Sequence, residues 1–171
     1  MDVEASDARL ARLAGAEVAR ALEGLLVLAG APRDEFRPST PSRLRAARSC
    51  YDHLAGAAGV ALHDRLHAEG WLRSGSSADG PGEGDYELTP AGALALESLG
   101  LDHAAVRASR RRFACGCLDW SERRPHLGGA LGAACLALAL RRGWLRRELD
   151  SRALSLTPKA GREMPELFGM G

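Results

Sequence analysis

Two short clusters of side chains able to bind metal or do nucleophilic chemistry stand out in a chain otherwise rich in Ala, Leu and Gly. They are Cys50, Asp52 and His53, and then Cys115, Cys117, Asp119 and His126. Thiolate, imidazole and carboxylate all donate to soft or borderline cations. Cys50, His53, Cys115 and Cys117 are therefore candidate ligands for a thiophilic metal or metalloid. Cys-x2-His and Cys-x-Cys are also short, common patterns, and a small cysteine buried beside a helix start has the same appearance. The same residues could make a thiol nucleophile, Cys50 with His53 or Cys117 with His126, the imidazole lowering the thiol pKa. Neighbours on one helix seldom reach that geometry, so the chain is read as a non-enzyme.

A second group lies just downstream. Trp120, Glu122, Arg123, Arg124 and His126 place an aromatic face, two fork-shaped cations and a carboxylate within seven residues. Arginine grips anionic groups bidentately. With Tyr51, Asp52, His53, Cys117 and Asp119, these residues make a candidate site for a small effector. The competing reading is a polar network that ties parts of the fold together, with Asp119 or Glu122 paired to Arg123 or Arg124. Arg107, Arg110, Arg111 and Arg112 put four guanidiniums in six residues. That is a candidate phosphate-contacting patch on DNA or, more plainly, a solvated helix end. Cys135 sits in an apolar stretch and is read as a small core residue.

The clusters recur because the sequence repeats. Residues 53–72, HLAGAAGVALHDRLHAEGWL, align without a gap to 126–145, HLGGALGAACLALALRRGWL, with nine of 20 positions identical. Self-similarity of this kind marks an architectural repeat. Cys50-Tyr51-Asp52 precedes the first copy and Cys117-Leu118-Asp119 the second, where six further residues, WSERRP, intervene. Downstream, Leu88-Thr89-Pro90 answers Leu156-Thr157-Pro158, so the repeat spans about 50 residues.

The elements that must position these clusters follow from the same alignment. In each copy a helix should end at Gly70 or Gly143, and Trp-Leu should open an extended segment. A second strand is expected at 86–88 and at 153–156. Thr89 and Thr157 stand where N-cap hydroxyls would, with proline at the first helical position. Helix, hairpin and helix in that order describe a winged helix. Trp71 and Trp144, repeated at one architectural position, are read as packing residues. Ahead of the copies, apolar residues from Leu10 to Ala29 recur with helical spacing. Residues 30–42 carry three prolines, and a helix should resume near Ser42, a plausible N-cap.

The fold expectation is therefore α+β, mainly α: an N-terminal amphipathic dimerisation helix (1–30), a connector (31–42) and two tandem winged-helix-like units (43–105 and 106–171). Lys and Arg number 23 against 22 Asp and Glu, so no general field draws the chain to nucleic acid. No apolar run approaches the roughly 20 residues of a membrane span, no secretory signal opens the chain, and the reading is cytoplasmic with no membrane partner. The second copy offers Ala133 to Leu140 before its hairpin, with no polar side chain but a thiol, which excludes it as a major-groove reader. The first offers His63, Asp64, Arg65, His67 and Glu69, which could touch DNA or face solvent.

Several segments are specific enough to resemble a known family. YDHLAG followed by GVAL, CLDWSERRPHLGGALGAA and the two GWL-to-LTP segments look like the C-terminal region of certain ArsR-type winged-helix transcriptional regulators. LAGAEVARALEGLLVLA resembles the helix that follows their DNA-reading domain. The resemblance implies a ligand-sensing, homodimeric regulator of transcription whose effector binds between the two units. Only twelve residues precede the LAGAEVA segment, so the usual N-terminal reader is expected to be missing and DNA contact to be indirect. The alternative is a derivative of such a regulator that sequesters a small molecule or uses a cysteine catalytically.

Overall fold

The computed structural model describes residues 40–75, 85–149 and 151–164. The chain divides into two compact units, residues 1–38 and 39–171, and the described residues all belong to the second. The expected dimerisation helix at 1–30 and the connector up to residue 39 lie outside them.

The fold is mixed α/β. A short helix α1 (Ser42–Ala46) leads into β1 (Arg48–Cys50), β2 (His53–Ala55), α2 (Ala57–Ala68), β3 (Leu72–Ser74), β4 (Tyr86–Leu88) and α3 (Pro90–Ser98). After α4 (His103–Arg107) the series repeats as β5 (Cys115–Leu118), β6 (Pro125–Gly128), α5 (Gly129–Arg141), β7 (Leu145–Arg147), β8 (Leu154–Leu156) and α6 (Pro158–Glu163). The strands pair as four antiparallel two-stranded sheets, β1 with β2, β3 with β4, β5 with β6 and β7 with β8. α1 does begin at Ser42, but Pro41 is its N-cap residue and no side chain caps it.

Local chemistry accounts for the boundaries. α2 ends where the Gly70 N–H bonds His67 O and the Trp71 N–H bonds Leu66 O, both at 2.9 Å. α5 ends in the same way at Gly143 and Trp144. Thr89 and Thr157 accept from the Gly92 and Ala160 N–H groups, each with proline in the first helical turn. One expectation changes: Cys50 to Ala55 and Cys117 to Gly128 form hairpins and do not begin the helices that follow. Gly56 and Gly129 take φ 79 and 77, a left-handed conformation from which a right-handed helix cannot run backward.

The two series interlock. α2 packs against β6 of the second series and α5 against β2 of the first. The Ser49 N–H bonds Arg152 O and the Leu154 N–H bonds Ala47 O, while the Tyr86 N–H bonds Ala114 O, so each series donates a strand edge to the other. Leu54, Leu66, Leu127, Leu131, Leu136 and Trp144, drawn from both series, share one core. Burying each such leucine contributes about 1.5–3 kcal/mol.

Gly59 and Gly132 occupy equivalent positions, each where a helix crosses a hairpin. A Cβ on Gly132 would sit 2.3 Å from Leu127 O and 3.2 Å from the His53 Cβ; one on Gly59 would sit 2.5 Å from Leu54 O and 3.5 Å from the His126 Cβ. Gly132→Ala is expected to cost about 1–3 kcal/mol through forced overpacking. Denaturant melts check this, and an unchanged midpoint would mean that the helix can withdraw from the hairpin freely.

Candidate metal centre

β1 and β2 meet with Cys50 opposite His53, and β5 and β6 meet with Cys117 opposite His126. The first hairpin turns through Tyr51, held at φ 56, and Asp52; the second carries the longer WSERRP insertion, with Arg123 at φ 54. A tyrosine in the left-handed region is uncommon and marks a constrained turn. Because α2 and α5 cross the opposite hairpins, the two hairpins are pressed together. Cys50 Sγ lies 4.0 Å from Cys117 Sγ. The His53 and His126 rings stack at 5.1 Å between centroids.

One donor atom from each of Cys50, His53, Cys117 and His126 falls within 4.8 Å of all the others, and all four residues are buried. Four ligands around one ion, at about 2.3 Å for sulfur and about 2.0–2.1 Å for nitrogen, stand about 3.3–3.8 Å apart in a tetrahedron. The four donor atoms are thus close to that spacing.

The imidazoles are the strongest sign of a ligand. His126 is 0% exposed, yet neither of its ring nitrogens has a hydrogen-bond partner, and His53 Nε2 is also buried without one. A buried polar atom left unpaired costs about 1–3 kcal/mol, so three at one point call for an explanation. On the far side of each ring stands a carboxylate: Asp52 Oδ1 is 3.3 Å from His53 Nδ1, and Asp119 Oδ2 is 3.8 Å from His126 Nδ1. At 3.3 Å Asp52 is within hydrogen-bond reach of His53 Nδ1, which leaves Nε2 to face an ion, the usual outer sphere of a metal-binding histidine; Asp119 lies beyond that reach of His126 and acts on it through charge.

Each carboxylate is held by an arginine from the other series. Arg111 donates to Asp52. Arg48, 1% exposed, donates from its Nη2 to both Asp119 oxygens at 2.9 Å, and its guanidinium lies 4.4 Å from the centre of the Trp120 ring. Asp119 also accepts from the N–H groups of Gly56, Ser121 and Glu122 and from the Ser121 hydroxyl. Burial alone would raise its pKa; the Arg48 charge and these bonds outweigh burial and hold it at about 2. Burial, with His53 alongside, pushes His126 down to about 3 and keeps it neutral. Burial would also lower His53, but contact with Cys50 and Asp52 outweighs it and raises that pKa.

The other expected site residues distribute as follows. Cys115 pairs with Gly128, two register steps beyond Cys117, and is not among the four; His126, absent from the expected ligand set, takes its place. Tyr51 is 65% exposed. Glu122 accepts from the Ser121 hydroxyl and faces Arg45, and Arg124 donates to Asp64. Trp120, Glu122 and Arg124 are therefore engaged in a polar network, with partners other than those expected; Arg123 sits at the turn. In the arginine run, Arg111 and Arg112 bond Asp52 and Asp85, Arg107 lies over the Phe113 ring, and Arg110 is exposed. α5 is largely buried, and α2 buries Val60, Leu62, His63 and Leu66. Sequence reasoning missed Arg48 and Ser121. The signal for Arg48 was weak, since the second copy carries Cys115 at the equivalent strand position.

No protein-family model and no solved structure matches the chain. It is similar to the uncharacterised HTH-type transcriptional regulator YdfF of Bacillus subtilis (strain 168), 38% identical over 153 residues, covering 87% of this chain. The chain spans 64% of the length of that protein. No helix among the described residues is long and apolar enough to cross a membrane.

Proposed function

We propose that this chain is the effector-sensing part of a helix-turn-helix transcriptional regulator, and that its effector is a divalent borderline metal ion, zinc in the first instance, bound by Cys50, His53, Cys117 and His126. The observation that carries the reading is the convergence of two equivalent Cys/His hairpins, with His53 Nε2 and both His126 ring nitrogens buried and without a hydrogen-bond partner. Two thiolates and two neutral imidazoles carry two negative charges, and the carboxylates behind them are already balanced by Arg48 and Arg111. A divalent cation makes the buried set neutral; tetrahedral S2N2 ligation is typical of zinc.

The regulatory part of the reading rests on the similarity to the Bacillus regulator and on the ArsR-like segments. In this reading the two series are winged-helix-like units, the 10–29 segment makes a homodimer, and the metal locks the units across their interface. DNA contact is then made by a reader domain or by the arginine run at 107–112.

The test combines metal analysis with DNA binding. Protein purified without chelator should carry one zinc per chain and lose it to a strong chelator. It should also gain thermal stability from zinc and not from magnesium, by about 4 kcal/mol at a thousandfold excess over Kd. Zinc should alter retardation of DNA from the region upstream of its own gene. Metal binding with no effect on any such DNA would favour sequestration; a chain that takes up no zinc would refute the metal reading.

A further inference from the structure

The same two sulfurs carry a second chemistry, and this inference rests on the site described above. Cys50 and Cys117 face one another at 4.0 Å, one from each series, packed together with Ala55. A disulfide needs the sulfurs about 2.05 Å apart. Closing the remaining distance takes side-chain rotation and a small approach of two hairpins already in contact. All four cysteines are thiols, and the other two are placed differently: Cys135 lies in α5 within the core, and Cys115 is two register steps away opposite Gly128.

We infer that Cys50 and Cys117 are a redox pair: when no metal holds them, a hydroperoxide joins them in a disulfide that ties the two series together and abolishes metal uptake. In the first step one sulfur attacks the peroxide oxygen, giving a sulfenic acid and releasing the alcohol or water of the cleaved O–O bond. In the second step the other thiol attacks that sulfenic sulfur, the S–S bond forms and water leaves. Two thiols are oxidised, one peroxide is reduced, and a dithiol reductant reverses the change. Metal and disulfide exclude one another because both use the same sulfur lone pairs. A metal-sensing module would thereby also report oxidative conditions, and release of metal would be the step that arms the pair.

The experiment treats the full chain, reduced and stripped of metal, with hydrogen peroxide, and follows intact mass, peptide maps and zinc uptake. The expected result is loss of two hydrogen atoms, a single linked peptide pair containing Cys50 and Cys117, and loss of zinc uptake that dithiothreitol restores. Zinc-loaded protein should resist at the same peroxide dose. Cys135, whose thiol burial pushes up to about 12, should stay unmodified throughout. The Cys115→Ser chain should still form the link, and peptide mapping of the unsubstituted chain reads the pairing without relying on any variant's folding. Stepwise oxygen addition without a link, a link through Cys115, or a link between two chains would each overturn the inference. Zinc titration of the reduced chain separates the two readings. Normal zinc uptake without a link sinks the redox pair alone, whereas a link in a chain that never bound zinc sinks the metal reading alone.

Discussion

Asp119→Asn is expected to cost about 3–5 kcal/mol of folding stability. Arg48 is 1% exposed and Asp119 0%, so removing the carboxylate's charge leaves a guanidinium buried without its counter-ion. The loss extends beyond the ion pair, because Asp119 also accepts the N–H groups of Gly56, Ser121 and Glu122 and so fixes the WSERRP turn and the start of α2. A double change to apolar residues should therefore not recover stability, as it often does for a simple buried pair. The same interaction sets an acid limit. Asp119 falls from 3.8 to about 2 on folding, so its contribution is complete above pH 3.8 and is lost as pH falls through that interval toward 2. Urea melts of the two chains at neutral pH provide the check. A difference below about 1 kcal/mol would mean that Arg48 finds another partner or water.

The parts of this fold that were legible in the sequence are those written in local chemistry. Gly70 and Gly143 end helices, Thr89-Pro90 and Thr157-Pro158 begin them, and the alignment of 53–72 with 126–145 placed equivalent elements in both copies. The hairpins were not legible, because His53-Leu54-Ala55 and Pro125-His126-Leu127-Gly128 are too short to show strand alternation and run into helix-rich composition. The site was half legible for the same reason. Both Cys/His pairs, Cys50 with His53 and Cys117 with His126, could be read from the sequence, but His126 was left out of the expected metal ligands, because its place opposite Cys117 depends on the register of a hairpin closed over six inserted residues. Cys115 looked the equal of Cys117 because two cysteines two residues apart share a strand face; only the register shows that Cys115 is opposite a glycine. Arg48 gave no sign of its role. A lone arginine is ordinarily a surface residue, and its burial depends on Asp119, 71 positions away.

Ligand-by-ligand substitution should separate the four inner residues from everything around them. Structural zinc sites of this type are worth about 10–16 kcal/mol, so each of four ligands carries about 3 kcal/mol, or about a hundredfold in affinity. Cys50→Ala, His53→Ala, Cys117→Ala and His126→Ala are each expected to weaken zinc binding by at least about that factor, read by competition with a chromophoric chelator. Asp52→Asn should keep the one-to-one stoichiometry but weaken binding by about 10–100-fold, since it removes the charge behind His53 Nδ1 and leaves the four ligands in place. Cys115→Ser should bind zinc as the unsubstituted chain does. These outcomes discriminate because Cys115 and Cys117 are chemically identical and two residues apart, so loose thiol affinity would be halved by either change. Equal losses at 115 and 117 would mean that zinc takes any nearby sulfur. Loss at 117 with 115 silent would mean that the register of the second hairpin, and the crossing of α2 over it, chooses the ligand.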